Sequence, residues 1–220
     1  MEHKRKSTSQ NEKQLPKNVV EIFELLRYEI LLLHTKREIY RELYDSGAEV
    51  RNLLNFAAPV FFVIQRDMLV NDILITMRRL IDGEEFKGNG RKNLSLDYLI
   101  SCIDDSETKV EIKKLVREAK RKADFARTIS NKRIAHNDLL TKQKVEKLPD
   151  FDMETIDEAL LSVAHVMNMI SSYWNRPPEK YQMAGIGTGN ELVNRMKQAR
   201  AHCDLLNASL ELMLKESKDN

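Results

Sequence analysis

Between Ser130 and Asp138 the chain reads Ser-Asn-Lys-Arg-Ile-Ala-His-Asn-Asp, which gathers an imidazole, two cations, an amide and a carboxylate within a few helical turns. Placed on a helix, Lys132 and Arg133 stand four and three residues before His136 and share a face with it, while Asn131 lies further round. These groups suit metal-independent cleavage of RNA. The 2′-hydroxyl of a ribose attacks its own phosphodiester, a neutral histidine accepts the hydroxyl proton, and a nearby cation stabilises the charge building on the phosphoryl group. DNA lacks that hydroxyl and would resist. The same residues also suit a plainer role, in which Lys132, Arg133 and His136 favour the negative end of a helix dipole and Asn137 or Asp138 stops the helix. The residues alone leave both readings open.

Other candidates carry less chemistry. The run Gly185-Ile-Gly-Thr-Gly189 has no strand before it and no Lys-Ser or Lys-Thr after it, so it reads as linker rather than phosphate loop. His34, His165 and His202 each lack a second ligand at i+3 or i+4 and read as structural, so no metal site is expected, and no cofactor either. Asp104 and Asp105 read as a helix end. Cys102 and Cys203 lie far apart without metal-ligand neighbours and are expected to be reduced core residues.

The elements that must position the segment are helical. With 42% hydrophobic and 32% charged residues but only 7 Gly and 5 Pro in 220 residues, the chain lacks the turn punctuation of an all-β domain, and an all-α bundle with one core is expected. The net charge of +2 comes from 36 basic and 34 acidic residues, so any attraction to nucleic acid must be local. Residues 1–15 are polar, carry Lys4, Arg5 and Lys6, and read as a disordered basic tail without the apolar stretch of a secretory signal. The expected division continues with a helical bundle over 16–175, a Pro/Gly linker over 176–190 and a C-terminal amphipathic helix over 191–220. No apolar run approaches membrane-spanning length, so no membrane partner and a cytoplasmic location are expected.

The apolar spacing predicts about six helices. The first runs from Lys17 to Tyr44 on Val20, Phe23, Ile30, Leu33 and Tyr40 and breaks at Ser46 and Gly47. A second region, Glu49 to Asp82, holds the apolar patch Phe56 to Ile64 and then Val70, Ile73, Leu74, Met77 and Ile81, with Pro59 kinking or dividing it. After a glycine-containing loop, Ser95 caps a short helix through Ile103. The helix from Thr108 to about His136 turns Ile112, Leu115, Ala119, Ala123 and Ala126 inward and exposes Lys113, Lys114, Arg117, Lys120, Arg121 and Lys122, the strongest local positive charge in the chain. Asp152 caps a helix carrying Ile156, Leu160, Val163, Met167, Ile170 and Trp174. The final helix, with Leu192, Met196, Ala199, Leu206, Leu210 and Met213, reads as a docking or dimerisation arm.

The run Asn131-Lys-Arg-Ile-Ala-His136-Asn-Asp138, set between a long basic helix and a polar loop, resembles the HEPN domain of bacterial abortive-infection proteins of the AbiU2-like type. Met77-Arg-Arg-Leu-Ile-Asp82 and the later Arg91-Lys-Asn-Leu-Ser-Leu-Asp97 resemble it too, so the likeness spans Phe56 to Trp174. The resemblance implies an antiparallel helical bundle that targets RNA in phage defence or toxin systems, with a metal-independent ribonuclease site formed across a homodimer. It further implies an antitoxin or defence protein as a possible partner. In that family an arginine and a polar residue precede the histidine. Asn131 matches the polar position, His136 the histidine and Asp138 the acidic position after it, but Ser130 stands where the arginine is expected. Arg127 lies nine residues before His136, on the opposite side of an ideal helix. His136 and Asn131, from the resemblance, and Arg133, as a local substitute for the missing arginine, are thus expected as catalytic residues, with Lys132, Arg127 and Asp138 as RNA contacts, or else a binding-only domain without chemistry.

Overall fold

The computed structural model describes residues 16–86, 90–104, 106–135, 139–143, 145, 147–181 and 189–217. The all-α expectation holds. In order, the α-helices are α1 (Lys17–Tyr44), α2 (Ala48–Ala57), α3 (Pro59–Ile81), α4 (Leu96–Ser101), α5 (Ser106–Ile129), α6 (Leu139–Lys142), α7 (Met153–Tyr173) and α8 (Gly189–Glu216), with a π-helical segment Ser130–Ala135 after α5. Among the described residues there is no strand, only an isolated bridge between Glu85 and Lys92. No single described helix is long and apolar enough to cross a membrane. The expected basic tail over residues 1–15 lies outside the described residues, as do Asp105, Gly185 and Gly187. There are more helices than expected because Ala58 separates α2 from α3 and a short α6 comes after the π segment.

Contacts along the chain define two compact units. The first comprises Met1–Tyr28, Arg79–Asp124 and Phe151–Glu179; the second comprises Glu29–Arg78, Phe125–Asp150 and Lys180–Asn220.

In the first unit α7 buries Ile156, Leu160, Val163, Met167 and Ile170, as their spacing requires. Each such side chain contributes about 1.5–3 kcal/mol by leaving water. Asp152 starts α7: its carboxylate accepts from the Thr155 backbone N–H at 2.8 Å and the Thr155 hydroxyl at 2.7 Å. Ser95 starts α4 in the same way, accepting from the Tyr98 N–H at 3.3 Å. The other end of α4 is satisfied by Lys109, whose ammonium donates to the carbonyls of Ser101 and Ile103 at 3.2 and 3.0 Å. On α5, Ile112, Val116, Ala119 and Ala123 are buried, with Leu115 only half-buried where it was expected inside.

The beginning of the stretch read as a linker is anchored. Glu179 accepts from the Arg27 guanidinium, including one bond of 2.7 Å, and its backbone N–H and carbonyl pair with the Asn168 side chain at 2.8 and 3.0 Å. Arg176 adds a 2.7 Å ion pair to Glu24.

In the second unit Pro59 does divide the helical region. It opens α3, where a missing N–H costs nothing, and α2 and α3 meet at a bend of 117°. The Tyr44 hydroxyl donates to the Phe62 carbonyl at 3.1 Å, and Leu43, Val50, Leu53, Leu54, Phe62, Val193 and Met196 form one apolar cluster. The start of α8 is held by Glu42 of α1, whose carboxylate accepts from the Asn190 backbone N–H at 3.1 Å and its side-chain amide at 2.6 Å. Lys197 pairs with Glu49 at 2.7 Å, and Arg200 lies 5.0 Å over the Phe56 ring. The buried face expected from Phe56 to Ile81 begins late: Ile73, Leu74 and Met77 are buried, whereas Phe56, Val60, Phe61, Val63 and Ile64 are exposed, Phe62 alone of that patch turning inward. His34 is structural, buried with its ring stacked 5.9 Å from that of Tyr181. Cys102 and Cys203 both carry free thiols, but neither is a core residue: Cys102 is half-buried, and Cys203 is exposed because it lies on the unpacked part of α8.

Candidate functional site

The α-helix expected to continue to His136 stops at Ile129, and Ser130–Ala135 continues as π-helix. In such a turn each N–H reaches a carbonyl five residues back instead of four. The extra residue rotates the rest of the helix by about 100° relative to a regular α-helix. The regular α-helix on which Arg127 was expected opposite His136 does not run unbroken through Ser130–Ala135. Arg127 occupies the last turn of α5 and is half-buried.

Ser130, in the place expected for an arginine, is buried at 1% exposure, and its hydroxyl has no hydrogen-bond partner among the described residues. It therefore does not face solvent. Asn131 and Lys132 are half-buried and Arg133 is exposed. The Arg133 guanidinium donates to the side-chain oxygen of Asn71 on α3 at 3.0 Å. A guanidinium has five N–H donors in a rigid fork, so one bond to an amide orients it and leaves others for phosphate oxygens. Asn71 is a partner of Arg133 that the sequence did not reveal; it sits in an ordinary polar pair, Asn71-Asp72, with no motif around it. His136, Asn137 and Asp138 lie outside the described residues. Within the second unit the structure accordingly groups Asn131, Lys132 and Arg133 on one π segment directly after Arg127, with Asn71 holding the exposed cation.

The basic face of α5 belongs mainly to the first unit and is partly neutralised. Lys120 bonds Asp97, and Lys122 pairs with Glu118 at 3.8 Å and Glu158 at 3.9 Å. Lys113, Lys114 and Arg121 are exposed. Lys109, Lys113, Arg117 and Lys120 rim an open cavity of about 650 Å³ whose apolar wall is Ile100 and Val116. Glu84 and Asp97 also line it. A hydrogen bond from Lys92 holds the Glu84 carboxyl below its ordinary range, so that acid is charged and already matched. The cavity wall therefore keeps a positive excess suited to an anionic backbone.

The model of the HEPN_AbiU2 family, described as AbiU2, matches residues 16–205. This is wider than the Phe56 to Trp174 span on which the motifs resemble it, taking in α1, α2 and the first part of α8. No curated protein and no solved structure matches the chain. The helical fold, the motif-bearing segment and a match over most of the 220 residues lead to one conclusion: the chain belongs to the HEPN_AbiU2 family and is a HEPN-type protein of abortive infection.

Proposed function

We propose that the protein targets RNA in a phage-defence or toxin system and cleaves it without a metal, at the segment Asn131 to Asp138. In this reading His136 takes the proton of a ribose 2′-hydroxyl as its oxygen attacks the adjacent phosphorus. The bond from phosphorus to the 5′-oxygen breaks, that oxygen receives a proton, and the products carry a 2′,3′-cyclic phosphate and a 5′-hydroxyl. Arg133 and Lys132 stabilise charge on the phosphoryl oxygens, Arg127 and Asn131 contact the backbone, and Asp138 contacts RNA beside the histidine. The observation that carries the reading is the exposed Arg133, fixed by Asn71 at 3.0 Å within the family motif. The reading includes a homodimer, with a defence or antitoxin protein as a further partner. Purified protein incubated with mixed RNA in EDTA is expected to yield cyclic-phosphate ends, and His136→Ala of equal thermal stability is expected to yield none. Equal cleavage by both proteins would contradict the assignment of His136.

A second reading keeps the cations but no chemistry, and the burial of Ser130 at the arginine position favours it. It predicts intact RNA in both samples and binding that weakens steeply as salt rises, because released counterions drive phosphate contacts.

A further inference from the structure

One face of α5 carries cations at a regular step. Lys109, Lys113 and Arg117 follow one another by four residues and Lys120 comes three later, so all four fall within an arc of about 80° and neighbours stand about 4.5–6 Å apart along the axis. All four rim the cavity of about 650 Å³ in the first unit, over the buried side chains of Ile100 and Val116. Like charges one turn apart work against a helix, and only the two ends of this row are relieved. Lys109 donates to the carbonyls that end α4, and Lys120 bonds Asp97. Among the described residues no carboxylate pairs with Lys113 or Arg117. Arg117 Nε donates to the Lys113 carbonyl at 3.3 Å, which orients the guanidinium and leaves its other N–H groups for a ligand. Asp97 and Glu84 share the cavity, their side chains 34% and 40% exposed. Each is held by one lysine, Lys120 or Lys92, which does not use up the lone pairs of a carboxylate.

We infer that this cavity holds a stretch of single-stranded RNA by two neighbouring phosphates and a ribose 2′-hydroxyl. The unpaired cations fit the phosphates: Lys113 and Arg117 stand about 6 Å apart along the axis, comparable with the spacing of neighbouring phosphates on a strand, one offering a point charge and the other a fork. The apolar floor under them keeps water from one side and strengthens the field they set up. The two acids decide which polyanion fits. Beside a strand that brings only acceptors, Asp97 and Glu84 repel it. A 2′-hydroxyl is also a donor, and it gives a hydrogen bond to a carboxylate while the adjacent phosphate lies on the cations. DNA has no such group, so the cavity favours RNA. The site rests on the reading that the protein targets RNA and adds to it a strand-holding contact in the first unit, with no part in the chemistry assigned to His136.

The test measures binding of a short fluorescent single-stranded RNA, and of DNA of the same sequence, to the full chain with His136→Ala, so that the RNA stays whole, over a salt series. RNA is expected to bind about tenfold more tightly than DNA, the effect of one hydrogen bond to a charged acceptor. Lys113→Gln with Arg117→Gln, both at exposed positions, is expected to weaken RNA binding about tenfold or more and to lower the salt slope by about 1.4, as two lost phosphate contacts on a single strand require. Lys114→Gln with Arg121→Gln removes the same charge from exposed positions outside the cavity and is expected to weaken binding by about threefold at most, because salt screens charges that touch no phosphate. Asp97→Asn, which removes the repulsion and weakens the hydroxyl contact, is expected to narrow the preference for RNA to about threefold, mainly through tighter DNA binding. Equal losses from the two lysine and arginine pairs, or a preference for RNA untouched by Asp97→Asn, would overturn the inference and leave the RNA-targeting reading standing. A chain that binds no RNA at all would overturn both.

Discussion

Helices α7 and α8 carry apolar residues at almost the same steps, but they meet different fates. In α7 the stripe from Ile156 to Ile170 is buried, whereas in α8 only Val193 and Met196 of the large apolar side chains are. Their starts differ as well. Asp152 caps α7 from within its own sequence, while the first turn of α8 is held by Glu42 of α1. Periodicity therefore declares that a helix has an apolar face, and whether the chain itself covers that face depends on residues far away in sequence.

The largest expected effect separates the two stripes. Leu160→Ala should cost about 2–5 kcal/mol in denaturant unfolding, because it leaves a cavity at a site of 1% exposure. Leu210→Ala, at 56% exposure, should change monomer stability by less than about 0.5 kcal/mol. Similar losses at both positions would mean that the chain covers the end of α8 itself.

A smaller effect belongs to the close approach that seats α8. A Cβ on Gly189 would stand 2.9 Å from Leu43 Cγ and 3.2 Å from Glu42 Cβ, so Gly189→Ala should destabilise by about 1–3 kcal/mol. Gly83→Ala meets nothing within 4 Å and serves as the control. Equal melting temperatures for the two variants would show that α8 is not seated against Leu43.

The smallest effect tests the cap of α7. The bonds from the Thr155 hydroxyl and N–H hold the Asp152 carboxyl below its ordinary 3.8. A depressed carboxyl stabilises the fold above its unfolded value and loses that contribution as pH falls through the folded one. The melting difference between wild type and Asp152→Ala should therefore be full at neutral pH and shrink below pH 3.8. A difference that persists unchanged into stronger acid would mean that the carboxylate charge contributes nothing to the cap.

Local rules made part of the fold legible. Pro59 divides its region, Ser95 and Asp152 cap their helices, and the inward residues of α7 are set by spacing alone. The features that escaped depend on distant partners. The exposure of Phe61 and Cys203, the burial of Val193 and the anchoring of Glu179 by Arg27 each need knowledge of the neighbouring elements. At the candidate site the residue types were legible and their geometry was not. No residue in Ser130–Ala135 announces a π turn, and Asn71 lies 62 positions from the arginine it orients.

The most direct test of metal-independent RNA cleavage compares one RNA with DNA of the same sequence, both incubated with the wild-type protein in EDTA. Cleavage of the RNA alone is expected, with cyclic phosphate at the new ends, because the attacking group is the 2′-hydroxyl. Cleavage of the DNA at a comparable rate would contradict that chemistry, and RNA that is bound but left whole would decide for the reading without chemistry.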